Sequence, residues 1–124
     1  MTQVVADEGV VAMWSAILAG HLELRLFVND VRPHRGSSRA DFAEPTLAGY
    51  TPILLLGSEW ELTAESAVYP EQAFSFAGVG EDVYGYFVLK GQTLFWAERF
   101  SDGPYPIRRV GDRVFVDARQ VWRR

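Results

Sequence analysis

The run from Val83 to Tyr105 constrains the fold of this chain more than any other segment. It reads Val-Tyr-Gly-Tyr-Phe-Val-Leu, then Lys-Gly-Gln, then Thr-Leu-Phe-Trp-Ala-Glu-Arg-Phe-Ser-Asp-Gly-Pro-Tyr. Two stretches dense in aromatic and β-branched residues, separated by a short polar segment with Gly91, are the mark of an antiparallel hairpin and hence of a β-sheet fold. A two-residue turn at Lys90-Gly91 sets Gly85 opposite Trp96 and Phe87 opposite Leu94, which leaves the indole room over a position without a side chain. From Val83 to Phe100 the hairpin holds no His, no Cys and one acidic residue, Glu98. Its composition points to architecture and assembly rather than to catalysis.

A chain of 124 residues suits one domain, and a domain of this size buries roughly two-thirds of the surface its unfolded chain exposes. With 48% hydrophobic and 23% charged residues it is too apolar for a disordered chain. Its longest apolar segment, Val10 to Ala19, falls short of the ~20 residues that span a bilayer. That segment follows Asp7 and Glu8, where a secretory signal carries Lys or Arg. A globular protein with no membrane partner is expected. The absence of cysteine excludes disulfides and thiol catalysis and suits a reducing cytosol. A net charge of −4 argues against direct nucleic-acid binding, which depends on basic side chains neutralising phosphates. The charge is unevenly spread: residues 1–98 hold five basic and thirteen acidic side chains, −8, and residues 99–124 hold seven arginines against three aspartates, +4. Such opposed ends favour head-to-tail attraction between copies or an acidic partner for the Arg-rich end.

Along the chain, Asp7 to Gly20 reads as a helix. Acidic residues favour its start, Gly20 is placed at its end, and Val10, Trp14, Ile17 and Leu18 recur on one face. Leu22 to Val28 alternates, with Leu22, Leu24, Leu26 and Val28 on one face and Glu23, Arg25 and Phe27 on the other, which predicts a half-buried strand. Val31 to Arg39, rich in Pro, Gly, Ser and Arg, predicts an exposed loop, and Asp41 to Pro45 a single helical turn. Short strands follow at Ile53–Leu56, Glu59–Leu62, Ala67–Tyr69, Ala73–Phe76, Pro106–Arg108 and Arg113–Asp117, with Pro70 at an edge or a bulge. The expectation is an all-β fold: a single antiparallel β-sandwich, of which a jelly roll is one form, with one N-terminal α-helix. Residues 1–20 form the arm and helix, 21–118 the sandwich and 119–124 a basic C-terminal tail.

No constellation argues for catalysis, a metal or a cofactor. His21 and His34 have no Cys partner, so zinc would need scattered carboxylates. Glu59 and Glu61 flank Trp60 as a glycosidase pair might, but carboxylates at this spacing are more often one exposed strand face. Gly78-Val79-Gly80 is followed by Glu81-Asp82, which would repel a phosphate, and Ser101-Asp102-Gly103 is turn chemistry. The aromatics weigh more. Trp60, Tyr69, Tyr84, Tyr86, Phe95, Trp96, Phe100, Tyr105 and Trp122 are many for one small core, and Tyr and Trp are favoured in contact patches. The candidate interface residues are Trp14, Trp60, Tyr84, Tyr86, Trp96, Arg108, Arg109, Trp122, Arg123 and Arg124. A carbohydrate platform built on Trp60 or Trp96 is the competing use.

Several pieces taken in order, Leu24-Arg25-Leu26-Phe27-Val28-Asn29-Asp30, Ala40-Asp41-Phe42-Ala43-Glu44, Ala48-Gly49-Tyr50, Tyr69-Pro70-Glu71-Gln72-Ala73-Phe74, Val83 to Val88 and Trp96-Ala97-Glu98-Arg99-Phe100, resemble a group of small phage-encoded virion proteins. The resemblance covers most of the chain from Val4 on. It implies a β-rich, non-enzymatic structural protein, a capsid decoration or cement protein on the outer head surface, made in the host cytoplasm. Its partners would be further copies of itself and the major capsid protein or other virion proteins. A tail or connector component is the alternative within the class. The resemblance implies no catalytic residue.

Overall fold

In the computed structural model, residues 4–121 are described. One helix, α1 (Asp7–Leu18), precedes β1 (His21–Phe27), β2 (Ile53–Leu56), β3 (Glu61–Leu62), β4 (Ser66–Val68), β5 (Gln72–Ser75), β6 (Asp82–Val83), β7 (Gly85–Lys90), β8 (Thr93–Arg99), β9 (Tyr105–Pro106), β10 (Arg113–Val116) and β11 (Arg119–Val121). The main sheet runs β2-β1-β7-β8, and the smaller ones are β11-β4-β3, β10-β5 and β6-β9; every pairing is antiparallel. The molecule is therefore β-rich with one helix, divided among several sheets.

One core cluster gathers side chains from all of these sheets. Leu22, Leu24 and Leu26 of β1 lie with Leu55, Tyr86 and Val88 of the main sheet, and meet Trp60, Ala67, Phe74, Val83, Val114 and Val116. The alternation of β1 is as read from the sequence at these leucines. Phe27 departs from it, because it belongs to the opposite face and is nonetheless 0% exposed. It lies in a second cluster with Phe42, Phe87 and Leu89. Phe42 stacks on Phe87 at 5.0 Å between centroids and meets Phe27 at the same distance. The segment after β1 thus roofs the outer face of the sheet, and Tyr86 to Leu89 are buried on both sides.

That roof is pinned by polar groups. The Asn29 side chain donates to Asp41 O and accepts from Ala43 N–H, at 2.8 and 2.9 Å. Tyr50 Oη accepts the Leu26 N–H (3.2 Å), beyond the reach of β2, and donates to Glu44 (2.7 Å). Arg25 closes the network with bonds to Glu44 (2.6 Å) and Glu23 (2.5 Å). Burial opposes charge on Arg25, but its bonds to Glu23 and Glu44 outweigh it and hold the pKa above the ordinary value. A helical turn does form near Asp41, as a 3-10 turn over Arg39–Asp41 whose start is boxed by Ser38 and Asp41.

The hairpin forms with a different register. The turn is Gly91-Gln92, since Lys90 pairs with Thr93, and Phe95 is an extra residue between the Leu89–Leu94 and Val88–Trp96 pairs. Gly85 therefore lies opposite Arg99, and Trp96 opposite Val88. The expected meeting of Gly85 and Trp96 is corrected: a bulge, which inserts one unpaired residue, shifts every pair beyond it. What needs the glycine is Phe27, its partner across β1. A Cβ at Gly85 would meet two Phe27 ring carbons at 2.6 Å and collide with Glu98 O.

Two further expectations change. Arg119–Val121, assigned to a basic tail, form β11 and pair with Val68, Ala67 and Ser66. The strand expected at Glu59–Leu62 is reduced to Glu61–Leu62, because Gly57–Glu59 make a 3-10 turn. Gly57 is required there: a Cβ would stand 2.8 Å from Leu18 O at the end of α1. The cation that the end of α1 lacks comes from the hairpin tip, where Lys90 Nζ donates to Ile17 O (3.2 Å) and Ala19 O (3.3 Å).

Replacing Gly85 by alanine is expected to destabilise the fold by about 3 kcal/mol, the upper part of the range for an overpacked core. Urea unfolding measures it. Adding Phe27→Leu should recover part of the loss, and shrinking Trp96 should recover none.

Candidate functional site

The aromatic residues expected at an interface turn largely inward. Trp60 is 9% exposed and Tyr86 is 2% exposed, so both are corrected from surface to core. Trp60 meets Tyr69 edge-on at 5.0 Å and Trp96 at 6.0 Å, which uses its ring faces within the chain. Trp14, Tyr84 and Trp96 are half-buried. Tyr84 carries the Arg99 guanidinium over its ring at 5.0 Å, and Arg99 also pairs with Asp30 at 2.6 Å. Arg108 and Arg109 are exposed on the turn before β10, where their backbone N–H groups donate to Asp112 (2.9 and 3.0 Å). Those two bonds hold the Asp112 carboxyl below the ordinary aspartate pKa. Trp122, Arg123 and Arg124 lie outside the described residues. The candidates among the described residues do not form one patch.

Two other surfaces emerge. The first is aliphatic. Met13 (51%) and Ile17 (37%) are exposed on α1, and Leu54 (50%) and Leu56 (37%) on β2. The end of α1 and the end of β2 flank one cleft, lined by Ser15, Ala19, His21, Leu56 and Ser58. The helical periodicity correctly places Leu18 in the core, but Ile17, assigned to the same face, remains at the surface. A side chain one position from the buried stripe lies 100° round the helix, and no second element covers that arc.

The second is a cleft of about 330 Å³ between β8 and β11, lined by Tyr86, Trp96, Glu98, Arg119, Gln120 and Val121. Tyr86 Oη donates to Glu98 at 2.8 Å. Burial first and this bond second raise the Tyr86 pKa well above the ordinary tyrosine value. The hydroxyl is a fixed donor at neutral pH, unsuited to act as a nucleophile. The Trp96 indole N–H leans toward the same oxygen without reaching hydrogen-bonding geometry, and it is a buried donor with no acceptor. A second cleft continues past Glu98 to Phe100, Asp102, Tyr105, Phe115 and Asp117. There Asp102 accepts a bond from the Tyr105 hydroxyl and, as the first cause, pushes its pKa up to about 12. Sequence reasoning missed Glu98, Gln120, Phe115 and Arg119 as cleft residues, since their meeting depends on how β8 and β11 approach.

The residues weighed for chemistry are dispersed. His34 Nδ1 accepts the Gly36 N–H at 3.0 Å, and Ser37 closes the same turn. Glu59 and Glu61 are exposed on a 3-10 turn and on β3 respectively. Among the described residues no three His, Cys, Asp or Glu side chains are grouped to hold a metal ion, and no helix is long and apolar enough to cross a membrane. No protein-family model, no curated protein and no solved structure matches this chain.

The two buried hydroxyls give a pH test. Tyr86 and Tyr50 both hold their protons more tightly in the folded chain than at the ordinary pKa of 10.0. A raised folded pKa contributes stability that is whole below the unfolded value and is lost as pH climbs from there toward the folded value. Stability in urea should therefore fall above pH 10.0, and the Tyr50→Phe/Tyr86→Phe variant should show a shallower fall. At neutral pH, Tyr86→Phe alone should cost about 1 kcal/mol, the net worth of one hydrogen bond.

Proposed function

We propose that this chain is a non-enzymatic structural protein of a phage particle, a capsid decoration or cement protein that binds the outer head surface. The observation that carries the reading is aliphatic exposure: Met13 and Ile17, one turn apart on α1, and Leu54 and Leu56, on one face of β2, are exposed. Contiguous exposed apolar surface is costly in water and marks contact with a partner. The ordered sequence pieces that resemble small virion proteins supply the kind of partner, a shell of repeated subunits. The opposed charge of residues 1–98 and 99–124 supports association of copies as well. Under this reading the sheets pack as one β-sandwich, the working architecture for a compact subunit on a shell.

A stable contact of standard size buries roughly 800 Å² on each partner. Burying these large apolar side chains would make binding insensitive to salt, because charge screening does not touch apolar contact. Co-sedimentation of the protein with phage heads assembled without it is the test. Heads should carry the wild-type protein, and Met13→Glu/Ile17→Glu should lower occupancy at least tenfold while unfolding like the wild type. Heads that bind neither protein, or both equally, would overturn the reading.

A second reading, a carbohydrate-binding module, draws on the cleft beside Trp96, where a half-buried indole stands near Glu98, Arg119 and Gln120. It predicts a change of tryptophan fluorescence with glycans and no binding to heads.

A further inference from the structure

The two outer strands of the main sheet are finished differently. At β2, the Leu56 N–H donates to Tyr69 Oη at 2.9 Å. Leu54 and Pro52 share its outward parity, and proline has no N–H to offer. The β2 edge is thus largely closed. At β8, the Phe100 N–H donates to Tyr84 O (2.9 Å), which sets the parity of this strand. Glu98 faces β7, and the backbone groups of Ala97 and Arg99 point away from the sheet. Among the described residues no backbone bond of a turn or loop reaches Ala97 or Arg99. Across the cleft, the Tyr69 N–H donates to Ala118 O (3.0 Å), so Arg119 and Val121 of β11 turn outward from their own sheet by the same parity.

We propose that the free edge of β8 is a strand-addition site, and that its occupant is the extended segment around Val4 and Val5 of a second copy of this chain. An added strand gains its affinity from main-chain bonds and its specificity from pockets on alternate sides. The edge has such pockets. On one face is the cleft of about 330 Å³ with Trp96, Glu98 and Val121, and on the other a cleft of about 400 Å³ with Pro33, His34, Leu94 and Phe95. Phe95 is the bulged residue, and a bulge re-aims its side chain, here toward the second cleft. Successive side chains of a strand point to opposite faces, so Val4 and Val5 would enter the two clefts in turn.

The occupant follows from the segment itself. Val4 is 82% exposed and Val5 57%, and Ala6 is already extended at φ −66°, ψ 150°. Both valines are β-branched, suited to a strand, and neither is seated on its own chain. Residues 1–6 bear no charged side chain, and Asp7 and Glu8 follow at once. Arg119 lines the β8 cleft and forms no ion pair among the described residues, which complements those acids.

This inference rests on the reading of the chain as a self-assembling particle component. The chain has no cysteine, so a single engineered pair reports one contact. Val5→Cys and Ala97→Cys proteins, prepared separately, are mixed at micromolar concentration under mild oxidation. A disulfide-linked heterodimer is expected, formed at least tenfold faster than with Val110→Cys in place of Val5→Cys; Val110 is likewise exposed (75%). Val4→Asp/Val5→Asp, with unchanged thermal unfolding, should weaken self-association at least tenfold in sedimentation. Equal rates for the two mixtures, undiminished association of the Asp variant, or a link formed within one molecule carrying both cysteines would overturn the proposal. Binding to heads separates the two readings. Heads that carry protein failing the cysteine test remove this inference alone, and linked dimers that ignore heads remove the particle reading alone.

Discussion

Two-sided burial of the β1–β7 pair is the constraint on which the rest of the structure depends. Leu24 and Val88 face one core while Phe27, Phe87 and Leu89 face another, so Tyr86 to Leu89 have no solvated side, and β1 keeps one only at His21, Glu23 and Arg25. An antiparallel sheet of four strands commonly leaves one face to water. Here aromatic residues occupy both, and each face needs its own cover. The smaller sheets cover one, and the segment from Val28 to Tyr50 covers the other. Leaving Phe27 and Phe87 bare would forfeit about 1.5–3 kcal/mol for each ring, which explains why a segment of loop composition is held by Asn29, Tyr50 and the Arg25–Glu44 pair.

Edges are the second theme. A sheet edge is a row of unpaired donors and acceptors that another chain can complete. At β2 a proline and a tyrosine hydroxyl close it. At β8 the bulge at Phe95 interrupts the first half of the strand, and the regular half from Ala97 on stays open. The two edges are finished differently, and large aliphatic side chains are exposed on α1 and β2.

The aromatic surplus shows how a sequence count can mislead about a site. Trp60, Tyr69 and Tyr86 are consumed by the core, where Trp60 fits edge-on against two rings and the two tyrosines bond Leu56 N–H and Glu98. The large hydrophobics left outside include the aliphatic Met13, Ile17, Leu54 and Leu56 and, of the aromatics, Phe95 and Phe115. Likewise, among the described residues, the arginines of the basic end are dispersed. Arg99 is paired and stacked, Arg113 lies over Phe115, and Arg108 and Arg109 occupy a turn.

Local pattern made much of the fold legible. The period of two in Leu22–Leu26, the helix with its acidic start, the hairpin composition and the strand pieces from Ile53 to Val116 are properties of neighbouring residues, and short-range sterics and side-chain alternation act on neighbours alone. Phe27 was read to the correct face, opposite the leucines, but its burial there was not legible because its cover, Phe42, is far along the chain. The hairpin register was missed because the turn lies one residue further on, at Gly91-Gln92, and the bulge at Phe95 shifts the pairing once more. Of the candidate site, the sequence placed Trp96 near the surface but could not join it to Glu98, Arg119 and Gln120. Most strands were decided by the sequence itself, whereas β11 and the shortening of β3 were decided by tertiary pairing. Which edges stay open, which aromatics are buried and which aliphatics face water were decided by the tertiary structure, because each depends on the approach of segments that share no local periodicity.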